Sequence, residues 1–292
     1  MKIGMIGLGA MGLPISERLL SANYELYVYD IVSQAVEKAV SKGAVSCHSA
    51  GEVASNVDVV MFSLPNARII QDVLEEILAC NTVSANVIAD LSSVSPASSR
   101  HFAEMMGKKK IKYIDCPVSG GVGGAAAGTL TVMVGGDKET LDMLMPVLNT
   151  IGKKIYHVGE VGAGSAIKMI NNYILGCNMA TVAEALVLGA KLGLDLATMH
   201  EIIQNSTGRS FIIENKVPNF IMKRNFGGGF AVDLEYKDLG LSIESAKQMN
   251  MPLLMGSTAV QVFEMARAKG FGKQDITSLV KIWEELMNIE VK

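Results

Sequence analysis

The segment Gly7-Leu-Gly-Ala-Met-Gly12, close to the start of the chain, constrains the fold more than any other feature. A short apolar run, residues 3–6, precedes it and predicts a buried strand, and apolar residues at helical spacing follow it. Strand, Gly-x-Gly-x-x-Gly turn and helix in this order form the dinucleotide-binding unit of a βαβ fold. Gly7 allows the tight turn, Gly9 lets the backbone approach a pyrophosphate, and Gly12 lets the helix pack against the strand. We therefore predict a dinucleotide site at the start of this helix, where free N–H groups and the helix dipole favour phosphates.

A carboxylate ends the second predicted strand, residues 25–30. Asp30 lies about twenty residues beyond the glycines, where an acid accepts hydrogen bonds from the adenosine ribose and repels a 2′-phosphate. The next residue is Ile31, not an arginine that could bind such a phosphate. We therefore expect NAD rather than NADP. The alternative is an ordinary strand-to-helix turn with a surface aspartate.

Composition excludes several classes of protein. A chain of 292 residues is long enough for two domains and a large core, and its 49% hydrophobic content indicates heavy burial. A net charge of −3 gives no reason to expect nucleic acid or an anionic membrane as a partner. Apolar runs of membrane-spanning length are interrupted by polar residues, so we expect no membrane span. The 4 cysteines are scattered, which predicts neither disulfides nor a metal site and favours a cytoplasmic protein.

The two halves of the chain differ in pattern. Further strands are predicted at 57–62, 86–91, 112–115 and 129–134, alternating with helices at 67–79, 96–107 and 137–149. A long helix follows at about 165–192, then helices at about 195–205, 210–223, 233–249, 252–268 and 275–287. The pattern predicts an α/β Rossmann-type doubly wound parallel sheet in residues 1–163, which would bind the dinucleotide. An all-α C-terminal domain for substrate and dimerisation would cover 164–292, joined to the first by the long interdomain helix.

Polar turns follow two of the predicted strands. The turn Ser63-Leu-Pro-Asn66 follows one strand, and Asp90-Leu-Ser-Ser93 follows the next. Because ligands bind at the carboxyl ends of strands in a doubly wound sheet, both turns could contact the cofactor. Ordinary loops remain the alternative, and Ser95 could simply cap a helix that begins at Pro96.

A glycine-rich segment, Asp115-Cys-Pro-Val-Ser-Gly-Gly121, follows another strand. Glycines at this density expose backbone N–H groups, which suits an anion nest for a carboxylate, and Ser119 adds a hydroxyl donor. A purely structural glycine loop is the alternative.

Lys168 and Asn172 lie four residues apart on the long helix and therefore share one face. Their apolar neighbours Ile167, Met169, Ile170 and Ile174 predict that this face is buried near the junction of the domains. Desolvation lowers the pKa of a lysine toward that of a working acid or base. The alternative is a lysine that extends from a half-buried helix into solvent. Arg209 could bind a second acidic group of a substrate, or it could be a surface arginine.

In their order along the whole chain, these motifs resemble the β-hydroxyacid dehydrogenase family. The resemblance implies that Lys168 is the catalytic lysine and that Asn172 orients the substrate. The substrate-binding residues it implies are Ser119, Gly120, Gly121, Asn172 and Arg209. The cofactor-binding residues it implies are Gly7, Leu8, Gly9, Ala10, Met11, Gly12, Asp30, Leu64, Pro65, Ser93 and Lys237. Cys116 stands where the family usually has alanine, and Ser93 where it more often has threonine.

The function that the resemblance implies is reversible hydride transfer between NAD(H) and a small 3-hydroxy acid or semialdehyde acid, with Lys168 as general acid/base. Substrates of the 2-(hydroxymethyl)glutarate, 3-hydroxyisobutyrate and tartronate semialdehyde types all occur in the family. Residues 171–179 and 208–210 are most similar to members that act on the first of these, a dicarboxylate, which would give Arg209 its role. Tartronate semialdehyde reduction is the alternative.

Two other classes of protein compete with this interpretation. One is a non-catalytic NAD(H)-binding sensor, which the Lys168–Asn172 pair disfavours. The other is an interaction protein whose helical half drives assembly, which is compatible with catalysis in a homodimer or homotetramer.

Overall fold

Nine strands in the first half of the chain form one sheet in the computed structural model, which describes all 292 residues. They are β1 (Lys2–Ile6), β2 (Glu25–Tyr29), β3 (Val45–Ser46), β4 (Val59–Phe62), β5 (Val87–Asp90), β6 (Lys112–Asp115), β7 (Val118–Ser119), β8 (Leu130–Gly135) and β9 (Gly152–Gly159). The strand order is β3-β2-β1-β4-β5-β6-β8-β7, with β9 paired to β8. Strands β1 to β6 are all parallel, which confirms the predicted Rossmann-type sheet.

One edge of the sheet departs from the fully parallel prediction. Strand β8 pairs antiparallel with β6 and β7 and parallel with β9. Residues 120–129, between β7 and β8, are fewer than the dozen or more that a parallel crossover requires, so the chain returns antiparallel beside the strand it has left.

Helices cover both faces of this sheet because neighbouring strand residues point in opposite directions. They are α1 (Gly12–Ser21), α2 (Ser33–Val40), α3 (Ala50–Asn56), α4 (Ala67–Ala79), α5 (Pro96–Gly107), α6 (Gly121–Ala127) and α7 (Lys138–Ile151). Val59 and Met61 of β4 enter one buried apolar cluster with α1 and α7. Val60 and Phe62 enter another with α3, α4 and α5. The two-sided packing makes each central strand almost continuously apolar.

Helices make up the second half of the chain, as predicted. They are α8 (Ala163–Lys191), α9 (Leu196–Gln204), α10 (Val232–Gln248), α11 (Leu254–Ala268) and α12 (Val280–Met287). The predicted helix at 210–223 is a π-helix, Ile212–Ile221, and the one at 275–287 begins as a 3₁₀ turn, Ile276–Leu279. Pro218 has no N–H to donate within the π-helix. Asp275 tightens the 3₁₀ turn by accepting hydrogen bonds from both the backbone and the hydroxyl of Thr277.

The chain divides into two compact units, Met1–Lys168 and Met169–Lys292, and α8 is continuous through the point of division. This helix has 29 residues, and by length and composition alone it could cross a membrane, with a mean hydropathy of 1.5 over its most apolar window. Of that window, 44% is buried inside the protein, and the core helices of soluble proteins share such length and composition.

Candidate functional site

The glycine turn between β1 and α1 has the close contacts that its motif predicts. Gly7 has φ +94°, and a Cβ atom there would lie 2.3 Å from the carbonyl oxygen of Ser63. A Cβ on Gly12 would lie 1.9 Å from the carbonyl oxygen of Gly7, so only glycine lets α1 start this close to the turn. Around Gly9, in contrast, nothing lies within 4 Å of a Cβ position.

The start of α1 is open to an anion. No side chain caps it, and its first turn carries no acidic residue. Leu8 is buried, whereas Ala10 is exposed and Met11 is half-buried. The uncapped N–H groups and the open space at Gly9 fit a pyrophosphate, so the residues present match a bound dinucleotide.

Asp30 directly follows β2 and is connected to the glycine turn. Its Oδ2 accepts a hydrogen bond from the Leu8 N–H at 2.6 Å, and its Oδ1 accepts one from the Val32 N–H at 2.8 Å. A carboxylate offers about four acceptor positions, so two remain for ribose hydroxyls. Ile31, beside it, is 89% exposed.

The turns after β4 and β5 are joined by one hydroxyl. The Leu64 N–H donates to Ser92 Oγ at 2.9 Å, and the Ser92 N–H donates to Asp90 Oδ1 at 2.8 Å. Leu64 and Ser93 are half-buried and Pro65 is exposed, all near the carboxyl ends of these strands. Ser95 does cap α5, because its Oγ accepts the Ser98 N–H.

Two buried carboxylates occupy equivalent positions at the ends of β5 and β6. Asp90 and Asp115 are register partners, and burial raises the pKa of each above its ordinary value. The Tyr113 hydroxyl donates to Asp90 Oδ2 at 2.6 Å. Asp115 accepts the backbone N–H groups of Gly162 and Ser165, both at 2.6 Å. Burial also raises the pKa of the neighbouring Cys116 thiol, which therefore stays protonated at neutral pH.

The segment predicted as an anion nest forms a sharp turn into a short helix. Gly120 and Gly121 have φ +132° and +65°, values that favour glycine, and α6 begins at Gly121. Both glycines are exposed, and Ser119, at the end of β7, is half-buried. The turn is therefore accessible from solvent.

Lys168 and Asn172 lie four residues apart in the first third of α8, and Lys168 is half-buried. Asn172 is buried, but the apolar neighbours from which burial of this face is predicted are themselves exposed: Ile167, Ile170 and Ile174 are 38%, 50% and 53% exposed. These three residues form a separate stripe at helical spacing, on a side of α8 roughly opposite the Lys168–Asn172 face.

Asn172 is buried, and both ends of its carboxamide are hydrogen-bonded. Its Nδ2 donates to Asp238 Oδ2 at 2.5 Å, and its Oδ1 accepts from Asn171 Nδ2 at 3.0 Å. Asp238, on α10, is 4% exposed, and its Oδ1 lies 3.2 Å from Lys237 Nζ, in ion-pair range but without hydrogen-bond geometry. The structure thus brings Asn172 and Lys237 together through Asp238. Sequence reasoning singled out the segment 237–239 but named only Lys237, and not Asp238, as a site residue.

Arg209 is exposed in the loop after α9, where its N–H donates to the Ser206 carbonyl. No three His, Cys, Asp or Glu side chains are grouped as metal ligands. The four cysteines are all unpaired.

Two family models together match almost the whole chain. Residues 2–159 match the NAD binding domain of 6-phosphogluconate dehydrogenase. Residues 162–283 match the model described as NAD-binding of NADP-dependent 3-hydroxyisobutyrate dehydrogenase.

Individual relatives also align along their full length. The chain is 48% identical to the 2-(hydroxymethyl)glutarate dehydrogenase of Eubacterium barkeri, over 99% of this chain and 97% of the relative. It is 34% identical to the NAD-dependent L-serine dehydrogenase of Pseudomonas aeruginosa, over 97% and 98%. Among solved structures, Mycobacterium tuberculosis 3-hydroxyisobutyrate dehydrogenase with L-serine matches with a TM-score of 0.89 and 32% identity, covering 96% of this chain and 98% of that one.

Proposed function

Because the chain belongs to the β-hydroxyacid dehydrogenase family and is an NAD-dependent dehydrogenase of hydroxy acids, we propose that it acts on 2-(hydroxymethyl)glutarate and its semialdehyde. The observation that carries this choice is the 48% identity, over 99% of the chain, to the Eubacterium barkeri enzyme. The exposed Arg209 is a suitable partner for the second carboxylate of such a substrate.

We assign the binding of the other carboxylate to the turn Ser119 to Gly121. Backbone N–H groups of this turn and the Ser119 hydroxyl would hold it, and Asn172 would orient the carbinol carbon. Two hydrogen bonds already use Asn172 Oδ1 and one of its two Nδ2 protons, so one N–H is left to donate to the substrate. Asp238 thereby determines which way the carboxamide faces.

Lys168 is assigned as the general acid/base. In the oxidative direction its neutral amine takes the hydroxyl proton as the carbinol C–H bond breaks, and in the reductive direction its ammonium returns that proton to the carbonyl oxygen. NAD, when bound, accepts the hydride, and NADH supplies it. The cofactor would be held by the glycine turn, residues 7–12, together with Asp30, Leu64, Pro65, Ser93 and Lys237. The 1–163 segment then serves as the cofactor domain and 164–292 as the substrate and assembly domain.

A panel of semialdehyde acids tests the substrate. NADH oxidation at 340 nm should be most efficient with 2-formylglutarate, and weaker with methylmalonate, tartronate and succinate semialdehydes. Arg209→Ala should lower kcat/KM for 2-formylglutarate by about 10²-fold, with a smaller loss for the monocarboxylates, because one charge-assisted pair is removed. Lys247→Ala, which removes an exposed cation on α10, is the matched control and should change neither. A higher kcat/KM for tartronate semialdehyde would replace the proposed substrate by the alternative.

Lys168→Ala tests the catalytic assignment. Turnover should fall by at least 10²- to 10⁴-fold, roughly the contribution of a general acid/base. NADH at 100 times its Kd should still raise the free energy of unfolding by about 2.7 kcal/mol, as for the wild type. A variant that binds NADH and turns over normally would disprove the role.

We also propose a soluble, cytoplasmic homodimer or homotetramer. The unpaired cysteines suit a reducing compartment, and the exposed stripe Ile167, Ile170 and Ile174 is an apolar surface of the kind that subunit contacts cover. Light scattering after gel filtration should give two or four times the 31.1 kDa chain mass. A monomer would contradict the assembly.

A further inference from the structure

The first turn of α8 is capped from a distant strand. Asp115, the last residue of β6, is 1% exposed, and its two carboxylate oxygens accept the N–H groups of Gly162 and Ser165. The residues that it joins are 47 and 50 positions further along the chain.

Ordinary helix caps in this protein are local. Asp137 caps α7 by accepting the Thr140 N–H, and Asp195 caps α9 by accepting the Thr198 N–H, each from the residue just before its helix. A local cap satisfies backbone donors but does not tie the helix to another element. Asp115 satisfies the same kind of donors and also attaches the start of α8 to the end of β6.

The first turn of α8 is closely packed against its neighbours, so it has little room to move relative to β6. A Cβ on Gly164 would lie 2.3 Å from the Met133 carbonyl oxygen of β8, and one on Gly135 would lie 2.6 Å from Asp115 Oδ1. On another side, the hydroxyls of Ser165 and Ser99 of α5 are 2.9 Å apart and buried. Two strands and one helix therefore surround the first turn of α8.

Two groups that we assign to the reaction lie a few residues from the contact between Asp115 and the first turn of α8. Lys168 follows Ser165 by three residues, less than one helical turn, and Ser119 follows Asp115 by four. The helix that carries the general acid/base is thus bonded to the Asp115 carboxylate, and the substrate-binding turn follows Asp115 along the backbone. A displacement of about 1 Å between reacting groups can lower a rate by about 10²-fold.

We propose that Asp115 is a positioning residue, which holds the start of α8 against β6 and so sets the place of Lys168 relative to the turn Ser119 to Gly121. The inference rests on the proposed function. It concerns how the reaction groups are aligned, whereas a purely structural role would affect only the folded fraction.

Asp115→Asn is the test, because it keeps the side chain's size but leaves an amide N–H facing a backbone N–H. We expect kcat to fall by 10- to 100-fold with 2-formylglutarate, while KM for NADH stays within about threefold. With NADH deuterated at the transferred position, the isotope effect on kcat should rise, since hydride transfer becomes slower than product release. Loss of folded protein alone would lower kcat and leave the isotope effect unchanged.

Asp137→Asn is the matched control. It replaces the carboxylate that caps α7, and α7 carries no assigned reaction group. Its kcat and isotope effect should equal those of the wild type. Ser165→Ala is a milder second variant, for use if Asp115→Asn does not fold. It removes the hydroxyl that meets Ser99, and it should raise the isotope effect with less loss of kcat.

Amide hydrogen exchange provides a readout without turnover. In the free protein, residues 162–168 should lose protection in Asp115→Asn and keep it in Asp137→Asn. A folded Asp115→Asn protein with wild-type kcat, isotope effect and exchange would overturn the inference. If the wild type reduced no acid in the panel, the proposed function would fail, and the exchange data alone would decide whether Asp115 anchors the helix.

Discussion

Asp30 has a structural contact that its sequence position does not reveal. Its carboxylate accepts the Leu8 N–H at 2.6 Å, so it joins the end of β2 to the glycine turn. The same carboxylate is assigned to the adenosine ribose, and its charge would repel a 2′-phosphate. The geometry of the turn depends on this side chain, and we expect cofactor choice to depend on it as well.

Asp30→Ser combined with Ile31→Arg should raise the ratio of kcat/KM for NADPH to that for NADH by about 10²-fold. The change removes the repelling charge and adds a cation at a residue that is 89% exposed, where no packing is lost. Ile31→Arg alone keeps the carboxylate and should change the ratio less. Steady-state rates with both cofactors measure it, and an unaltered ratio would refute the role of Asp30.

Asp90 gives a prediction about pH. Burial raises its pKa in the folded protein, so between the ordinary aspartate pKa and the folded value the folded state binds more protons than the unfolded state. The contribution of Asp90 to stability is therefore present at low pH and lost as pH rises through that range.

Asp90→Asn removes this titration and can still accept the Ser92 N–H with its amide oxygen while its NH₂ group faces Tyr113. Its free energy of unfolding relative to wild type should become more favourable as pH rises from about 4 toward neutrality. Urea titrations at several pH values measure this difference. If the free energy of unfolding of Asp90→Asn relative to wild type stayed constant or fell with pH, the pKa of Asp90 would not be raised in the folded protein.

At the scale of elements, the three glycines of the turn into α1 have separate roles. Gly7 needs its positive φ, Gly12 is in contact with backbone, and only Gly9 has open space around it. The open position is the one where a pyrophosphate would approach.

Gly9→Ala and Gly12→Ala should therefore fail in different ways. The Gly12 variant should lose about 1–3 kcal/mol of stability, because its Cβ would meet a carbonyl oxygen that cannot move without the turn. The Gly9 variant should fold as well as wild type but bind NADH at least 10-fold more weakly. Urea unfolding and NADH fluorescence titration separate the two. Wild-type NADH affinity in Gly9→Ala would contradict the assignment of the site.

Elements with strong local signals were predicted well, and those that depend on distant partners were not. Helices α4 and α5 begin and end at the predicted residues, and the structure adds Asn66 as the cap of α4 beside the predicted cap Ser95 of α5. The short β3 and β7 have only two residues each and too little pattern to recognise. Residues 210–223 have helical spacing, but spacing alone does not distinguish a π-helix from an α-helix.

At the scale of the whole molecule, α8 shows how composition can mislead. Its apolar residues predict burial of the Lys168–Asn172 face, where Asn172 is indeed buried, yet the apolar residues Ile167, Ile170 and Ile174 lie on another side of the helix and are exposed in the single chain. The same helix contributes Met179, Ala183 and Leu186 to the core of the second unit. One long helix thus serves the core along part of its length and leaves an apolar surface elsewhere.

Local sequence patterns were enough to predict the NAD-binding unit and the division into an α/β half and a helical half. Glycine conformation, strand alternation and helical spacing act over a few residues, so they can be read from a local pattern. Tertiary structure alone decided that β8 runs antiparallel to β6, that Asp115 caps a helix 47 residues later, and that Asn172 meets Asp238 across 66 residues. These contacts depend on how the whole chain packs, because the distance between residues far apart in sequence is set by every element between them.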